Sequence, residues 1–225
     1  MFVLTHLLAG VLIGITLTLV FQDKVVIIMA AVGSVLPDLI DKPLGHIFLA
    51  NTLNYGRIYG HTLLFFFALL IAGLLLFPVY PRAGPHILAL VAGIISHQFL
   101  DFMWTEPVNW SWPLSGPFQG YVPPGFLQNA FFAELFNPSE WIAGIIILFL
   151  LVQSGVILAP GLVPYRRSVA VAGIVFGTAV ILSGIGLFAS PLTLHLSPYE
   201  TIITSLIIIL GCSVLWYSWP TPLPP

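Results

Sequence analysis

Seven apolar stretches, each near the length that crosses a bilayer, run through this chain at about 3–21, 25–40, 61–79, 85–103, 139–160, 168–189 and 200–217. Hydrocarbon contains no water to satisfy backbone N–H and C=O groups, so a segment of this length must satisfy them within itself, as a helix does. Short punctuation separates the stretches. Gln22-Asp23-Lys24 joins the first two, and Pro78, Pro81 and Pro85 bracket the turn between the third and fourth. Arg166 and Arg167 close the fifth, Pro191 and Pro198 enclose the loop before the seventh, and the tail Pro220 to Pro225 excludes helix. The pattern predicts an all-α, polytopic helical membrane protein forming one integral membrane domain over 1–225. Residues 1–140 carry the polar motifs, 141–217 supply further transmembrane helices, and 218–225 form a Pro-rich tail.

Composition agrees: 59% of residues are hydrophobic, only 6% are Asp, Glu, Lys or Arg, and the mean hydropathy is +1.06. The net charge of -2 with no basic patch gives no reason to expect nucleic acid as a partner. Cys212 is the single cysteine, which leaves neither a disulfide framework nor a thiolate zinc site. The first apolar stretch lacks a basic leader and a small-residue cleavage site, so it is expected to be a retained span.

Against that background, His6, Asp38, His61, His97 and Asp101 recur at the ends of apolar segments. Ionisable groups at such positions are costly, by several kcal/mol at the centre of a span, and suggest function by default. Imidazole and carboxylate are also ligand types that suit zinc. Following the zigzag of the chain puts Lys24, Arg82, Arg166 and Arg167 on one face of the membrane. The other face receives these five residues with Asp41, Glu106, Glu134, Glu140 and His195. Basic residues favour the cytoplasm, so the acidic and histidine-rich face is expected outside.

Each candidate has a structural alternative. His97 and Asp101 stand four apart, so on a helix they share a face; they would hold one metal, or simply hydrogen-bond two helices together. Asp38 and Asp41, between Pro37 and Pro43, are two carboxylates whose repulsion a cation relieves, or ordinary acids at a helix terminus. Arg57, four residues before His61, would receive an anionic ligand or anchor in the headgroup layer. Glu140 is a second-tier ligand or general base, or an acid in the first turn of a helix capped by Asn137 or Ser139. His46, His86 and His195 have no partner that the sequence names. Gly10 and Gly14 form a small-residue pair of the kind that lets helices approach closely. The segment from Trp104 to Glu140 is dense in aromatics and prolines and predicts an interfacial lid over the site, or an anchor with no part in chemistry.

At these motifs the chain resembles the predicted membrane-bound metal-dependent hydrolases, a family with many archaeal and bacterial members. The resemblance lies in Thr5-His6, the run Gly33 to Pro43, Gly56-Arg57, His61 to Leu64, Ser96-His97 with Asp101, and Trp112-Pro113. It covers about the first half of the chain. Two features depart from the family pattern: Gly56 stands where many members carry histidine, and Asp38 and Asp41 are separated by two residues instead of one. The resemblance implies a helical membrane hydrolase distantly similar to zinc-dependent phospholipase C, with His6, Asp38, His61, His97 and Asp101 as metal ligands. Together these readings predict metal-assisted hydrolysis. Zinc is the expected ion, Asp41 or Glu140 would act as base or orienting group, and Arg57 would take an anionic headgroup. The expected partners are membrane lipids and a lipid-like or phosphoester substrate. A transporter or an assembly scaffold is the alternative from another class; a transporter commonly shows inverted repeats, and none is visible here.

Overall fold

The computed structural model describes residues 3–120, 122, 126–184 and 198–217, and every described regular element is helical. His195, Tyr121 and the tail Pro220 to Pro225 lie outside the described residues. The elements are α1 (Val3–Phe21), α2 (Val25–Gly33), α3 (Leu36–Pro43), α4 (Leu63–Leu76), α5 (Ala83–Leu100), α6 (Pro107–Trp110), α7 (Phe126–Leu135), α8 (Pro138–Gln153), α9 (Arg166–Gly184) and α10 (Pro198–Trp216).

Four helical stretches are long and apolar enough to cross a membrane: Val3–Phe21, Ala83–Leu100, Pro160–Ser183 and Tyr199–Trp216. A fifth is counted if Gln128–Leu135 and Pro138–Gln153, bent by 64° against each other, form one span. The expected stretch at 25–40 is instead two short helices. Pro37 sits in the first turn of α3 and has no N–H to extend the hydrogen-bond ladder of α2, so α2 stops at Gly33 and the chain restarts. At 14 residues α4 is about 21 Å long, short of a full hydrocarbon core. It begins at Leu63 because Thr62 is extended and its hydroxyl accepts the Phe65 N–H at 3.1 Å.

Small residues set how the helices meet. A Cβ added at Gly33 would lie 2.0 Å from the Leu90 carbonyl oxygen, and one at Gly93 would lie 2.1 Å from that of Ala30. The backbones of α2 and α5 therefore touch. The small-residue pair on α1 does the same against α2, where a Cβ at Gly14 would meet Ile27 Cα at 2.5 Å and one at Gly10 would meet Ser34. A separate apolar core joins α1, α8 and α10 through Leu8, Ile146, Leu150, Ile208 and Cys212. The consequence for function is direct: α1, α2 and α5 are clamped so closely that the groups at their ends, His6, Ser34 and His97, are brought together.

The aromatic segment is not a simple loop. After Asp101 the chain turns left-handed at Phe102 (φ 58°), passes a 3-10 turn at Met103–Thr105 and the single-turn α6, and reaches α7. Trp112 stacks on Phe118 at 4.9 Å, and Tyr59 meets both edge-on. Phe131, Phe136 and Trp141 are exposed, as residues facing lipid or headgroups are.

Candidate metal centre

Four donor atoms from Asp38, His61, His97 and Asp101 lie within 4.8 Å of one another, and all four residues are buried. They come from α3, the loop before α4, and the end of α5, so residues up to 63 positions apart converge at one end of the bundle. His61 Nε2 lies 3.0 Å from His97 Nε2 and 3.7 Å from both Asp38 Oδ1 and Asp101 Oδ2. His97 Nε2 lies 3.8 Å from each of the same two oxygens. Ligands on a regular tetrahedron with bonds of about 2.05 Å would be separated by about 3.3 Å. The observed edges bracket that value.

Each donor residue is held by its other polar atom. His97 Nδ1–H donates to the Ser34 carbonyl at 2.7 Å, an oxygen that can only accept. His61 Nδ1–H donates to Asp41 Oδ2 at 2.7 Å. Each ring thereby keeps a proton on Nδ1, and the two Nε2 atoms face each other across 3.0 Å. Two bare lone pairs would repel at that distance, so the gap calls for a proton on one nitrogen or a metal cation between them. The latter is the arrangement in which a metal-binding histidine is oriented from behind. Asp38 Oδ2 accepts from Lys42 Nζ at 2.6 Å, which leaves Oδ1 for the cluster. Asp101 Oδ1 lies 3.1 Å from His6 Nε2, while Oδ2 faces the histidines and Arg57 Nη2 at 3.3 Å. The residues fit a divalent ion in donor chemistry, spacing and orientation.

The remaining candidates are distributed around this group. His6 is buried behind Asp101, its ring 4.3 Å from that of His97, and lies outside the four-donor set. Asp41 points at the loop. Its carboxylate accepts the backbone N–H groups of Ile58 (2.8 Å), Gly60 (2.8 Å) and His61 (3.1 Å) as well as the His61 ring. Glu140 lies at the start of α1, where its oxygens accept Leu4 N–H (2.6 Å), Thr5 N–H (3.1 Å) and the Thr5 hydroxyl (2.7 Å). Glu140 itself stands in the first turn of α8, which Asn137 caps, so the capping alternative holds for its own helix and the bonds to α1 come in addition. His46 meets Asn54 at 3.1 Å, and His86 meets Asp23 at 2.7 Å at the far end of the bundle.

Sequence reasoning did not single out Glu106, Tyr55 or Gln98. Arg57 Nη1 donates to Glu106 Oε1 at 2.6 Å, the Tyr55 hydroxyl donates to Glu106 Oε2, and Asn109 adds a third bond at 3.1 Å. Burial alone would raise the Glu106 pKa, but the Tyr55 hydroxyl and the Arg57 charge outweigh it and hold the carboxyl below its usual range. Burial would lower the Arg57 pKa, but Asp101 and Glu106 push it above its already high value. Gln98, fully buried, donates to the carbonyls of Gly60 (3.3 Å) and Thr62 (3.2 Å) and accepts from Trp110 Nε1 (2.9 Å). It fastens the His61 loop and the aromatic segment to α5. The adjacency of Gln98 to His97 was the only signal available in the sequence. Nothing in spacing links Arg57 to an acid 49 positions away.

Comparison with known proteins adds a family. No curated protein and no solved structure matches the chain. Residues 1–185 match the model of the YdjM inner membrane protein family, so the likeness runs past the motif-bearing first 140 residues, through α8 and α9. With four to five candidate spans and a match over most of its length, the chain is a membrane protein and belongs to the YdjM inner membrane protein family.

Proposed function

We propose that this protein is a membrane-embedded, metal-dependent hydrolase that holds zinc between Asp38, His61, His97 and Asp101 and acts on a lipid-linked phosphoester or ester. One observation carries the reading: four buried donors from separate elements meet within 4.8 Å, each fixed from behind by a partner of its own. A scaffold has no need of such convergence. Two imidazole nitrogens and two carboxylate oxygens at near-tetrahedral spacing favour zinc over the harder cations, which prefer oxygen alone.

A divalent ion there supplies Lewis acidity, polarising an ester or phosphoryl oxygen and easing deprotonation of the attacking water. The residues of the chain do the rest. Asp41 keeps His61 in the Nδ1–H tautomer with Nε2 turned inward, and the Ser34 carbonyl does the same for His97. Asp41 and Glu140 already accept several hydrogen bonds each, so in this reading Asp41 orients His61 and Glu140 fastens α1, and neither takes the proton of the attacking water. Arg57, about one third exposed, exchanges Glu106 for the anionic group of the substrate. His6 steadies Asp101 from behind.

Support for a lipid-linked substrate comes from the surroundings. Tyr59, two residues before His61, meets the stacked rings of Trp112 and Phe118 edge-on, and a cleft of about 330 Å³ lined by Tyr55, Glu106, Asn109 and Gly120 opens beside the Arg57–Glu106 pair. The two cations at this end, Lys42 and Arg57, are both neutralised by carboxylates, whereas Lys24, Arg82, Arg166 and Arg167 belong to the opposite end. That imbalance favours an extracytoplasmic site.

The test is metal analysis of detergent-purified protein. Wild type is expected to carry one zinc or manganese per chain, lost in His97→Ala and in Asp38→Ala, together with chelator-sensitive hydrolysis of bis-nitrophenyl phosphate in micelles. A folded wild type that takes up no metal on reconstitution would overturn the proposal; metal binding without turnover on any phosphoester or ester would remove the hydrolase and leave the metal site.

A further inference from the structure

We propose that a groove between α9 and α10, at the end of the bundle opposite the metal centre, binds an anionic phospholipid. The groove has a volume of about 370 Å³ and is lined by Val171, Ile174, Val175, Ser213, Trp216 and Tyr217. Ser213 is the one non-aromatic polar residue among them, and its hydroxyl is already donated to the Ile209 carbonyl at 2.8 Å. Such walls suit an acyl chain. Charge lies at the mouth: α9 opens with Arg166 and Arg167 and has no acid in its first turn. Cations there oppose the helix dipole, which favours negative charge at an N-terminus. The Arg167 guanidinium carbon sits 5.8 Å from the centre of the Trp216 ring, so the cation is held directly over a wall of the groove.

Depth in the membrane agrees. Leu158, Val163, Tyr165, Trp216 and Tyr217 are all exposed at this end and form an apolar and aromatic belt of the kind that lies in the headgroup layer. Lys24 and Arg82 add positive charge on the same side, and the acid there, Asp23, already accepts from Val25 N–H and pairs with His86. A phosphodiester monoanion with its acyl chain in the groove would answer both the two adjacent arginines and the open apolar walls. A zwitterionic lipid carries the same phosphate with a cation of its own, so it answers the arginines less well.

The test titrates the detergent-purified full chain with dioleoylphosphatidylglycerol and with dioleoylphosphatidylcholine, reading bound lipid by native mass spectrometry. The acyl chains are identical, so a preference reports the headgroup. Wild type is expected to prefer phosphatidylglycerol, and Arg166→Gln with Arg167→Gln to weaken that lipid about thirty-fold and phosphatidylcholine by much less, so that the preference disappears. Val175→Trp, which fills the groove, should weaken both lipids; should it fail to fold, Val175→Ser is expected to act in the same direction. Lys24→Gln with Arg82→Gln should leave binding unchanged. Undiminished phosphatidylglycerol binding in the double arginine variant would overturn the proposal, as would an equal loss in the Lys24/Arg82 variant, which would mark a diffuse surface charge in place of a site.

Discussion

Asp41→Asn isolates the group that orients His61 without removing any of the four donors. The substitution keeps shape but discharges the carboxylate and converts one oxygen into an NH₂. Asp41 Oδ2 receives three donors, from Ile58 N, His61 N and His61 Nδ1, and Oδ1 receives one, from Gly60 N. The amide will therefore keep its oxygen at the three-donor position and turn its NH₂ toward the Gly60 N–H, donor against donor. Leaving that buried N–H unmet costs about 1–3 kcal/mol. The other three bonds fall from charge-assisted to neutral strength, roughly half. A destabilisation of about 3 kcal/mol is expected in the metal-free protein. Zinc affinity should drop by about 10–100-fold, the usual effect of losing a partner behind a metal-binding histidine, with stoichiometry retained at saturation. Competition against a chromophoric chelator in detergent measures the affinity, and thermal unfolding without metal measures the stability. Wild-type zinc affinity in Asp41→Asn would refute the orienting role; complete loss of metal in a protein that still melts cooperatively would make Asp41 a ligand itself.

Glu140→Gln should cost about 1 kcal/mol in thermal unfolding and leave metal content unchanged, since its oxygens serve the first turn of α1; loss of metal would return it to the ligand set. Gly93→Ala places a methyl carbon 2.1 Å from the Ala30 carbonyl oxygen, a backbone atom that cannot swing aside, and is expected to destabilise by about 1–3 kcal/mol or more and to loosen the metal site with it. Glu106 has a folded pKa below its unfolded value of about 4.3, so its contribution is present above that pH and is lost as pH falls through the lower folded value. Hydrogen exchange over residues 54–60 should accelerate in that acid window in wild type, and Glu106→Gln should show the faster exchange at neutral pH with little further change on acidification.

What the sequence made legible is what local spacing encodes. A four-residue interval puts His97 and Asp101 on one face, and both turn to the same cluster. The interval of three between Asp38 and Asp41 misleads for a physical reason. Three residues are about 300° of rotation at 3.6 residues per turn, so the two carboxylates diverge by about 60°. On so short a helix that divergence sends Asp38 into the cluster and Asp41 into the loop at 58–61. Hydropathy alone located the second apolar stretch but not its break, because Pro37 acts through a missing hydrogen bond that leaves the hydropathy unchanged. The Arg57–Glu106–Tyr55 group was beyond sequence reasoning because loops carry no periodicity to say what they meet.

The charges around the centre explain why so apolar a chain retains them. Asp38, Asp41, Asp101 and Glu106 are four carboxylates; Lys42 pairs with Asp38, Arg57 with Asp101 and Glu106, and His6 lies beside Asp101, while His61 and His97 each carry a proton on Nδ1. The acids outnumber the lysine and arginine side chains here by two, so this end of the membrane bundle draws positive charge. An uncompensated buried charge costs several kcal/mol, and apolar replacements of similar size would be neutral or stabilising, so no argument from stability alone keeps these residues. A proton shared between the two Nε2 atoms would cancel one charge and leave the other. A divalent ion would cancel both, and the two Nε2 atoms facing each other across 3.0 Å are placed to hold it. Charge and geometry thus ask for the same object: a proton between the rings meets the geometry and half of the charge, and a divalent ion meets both.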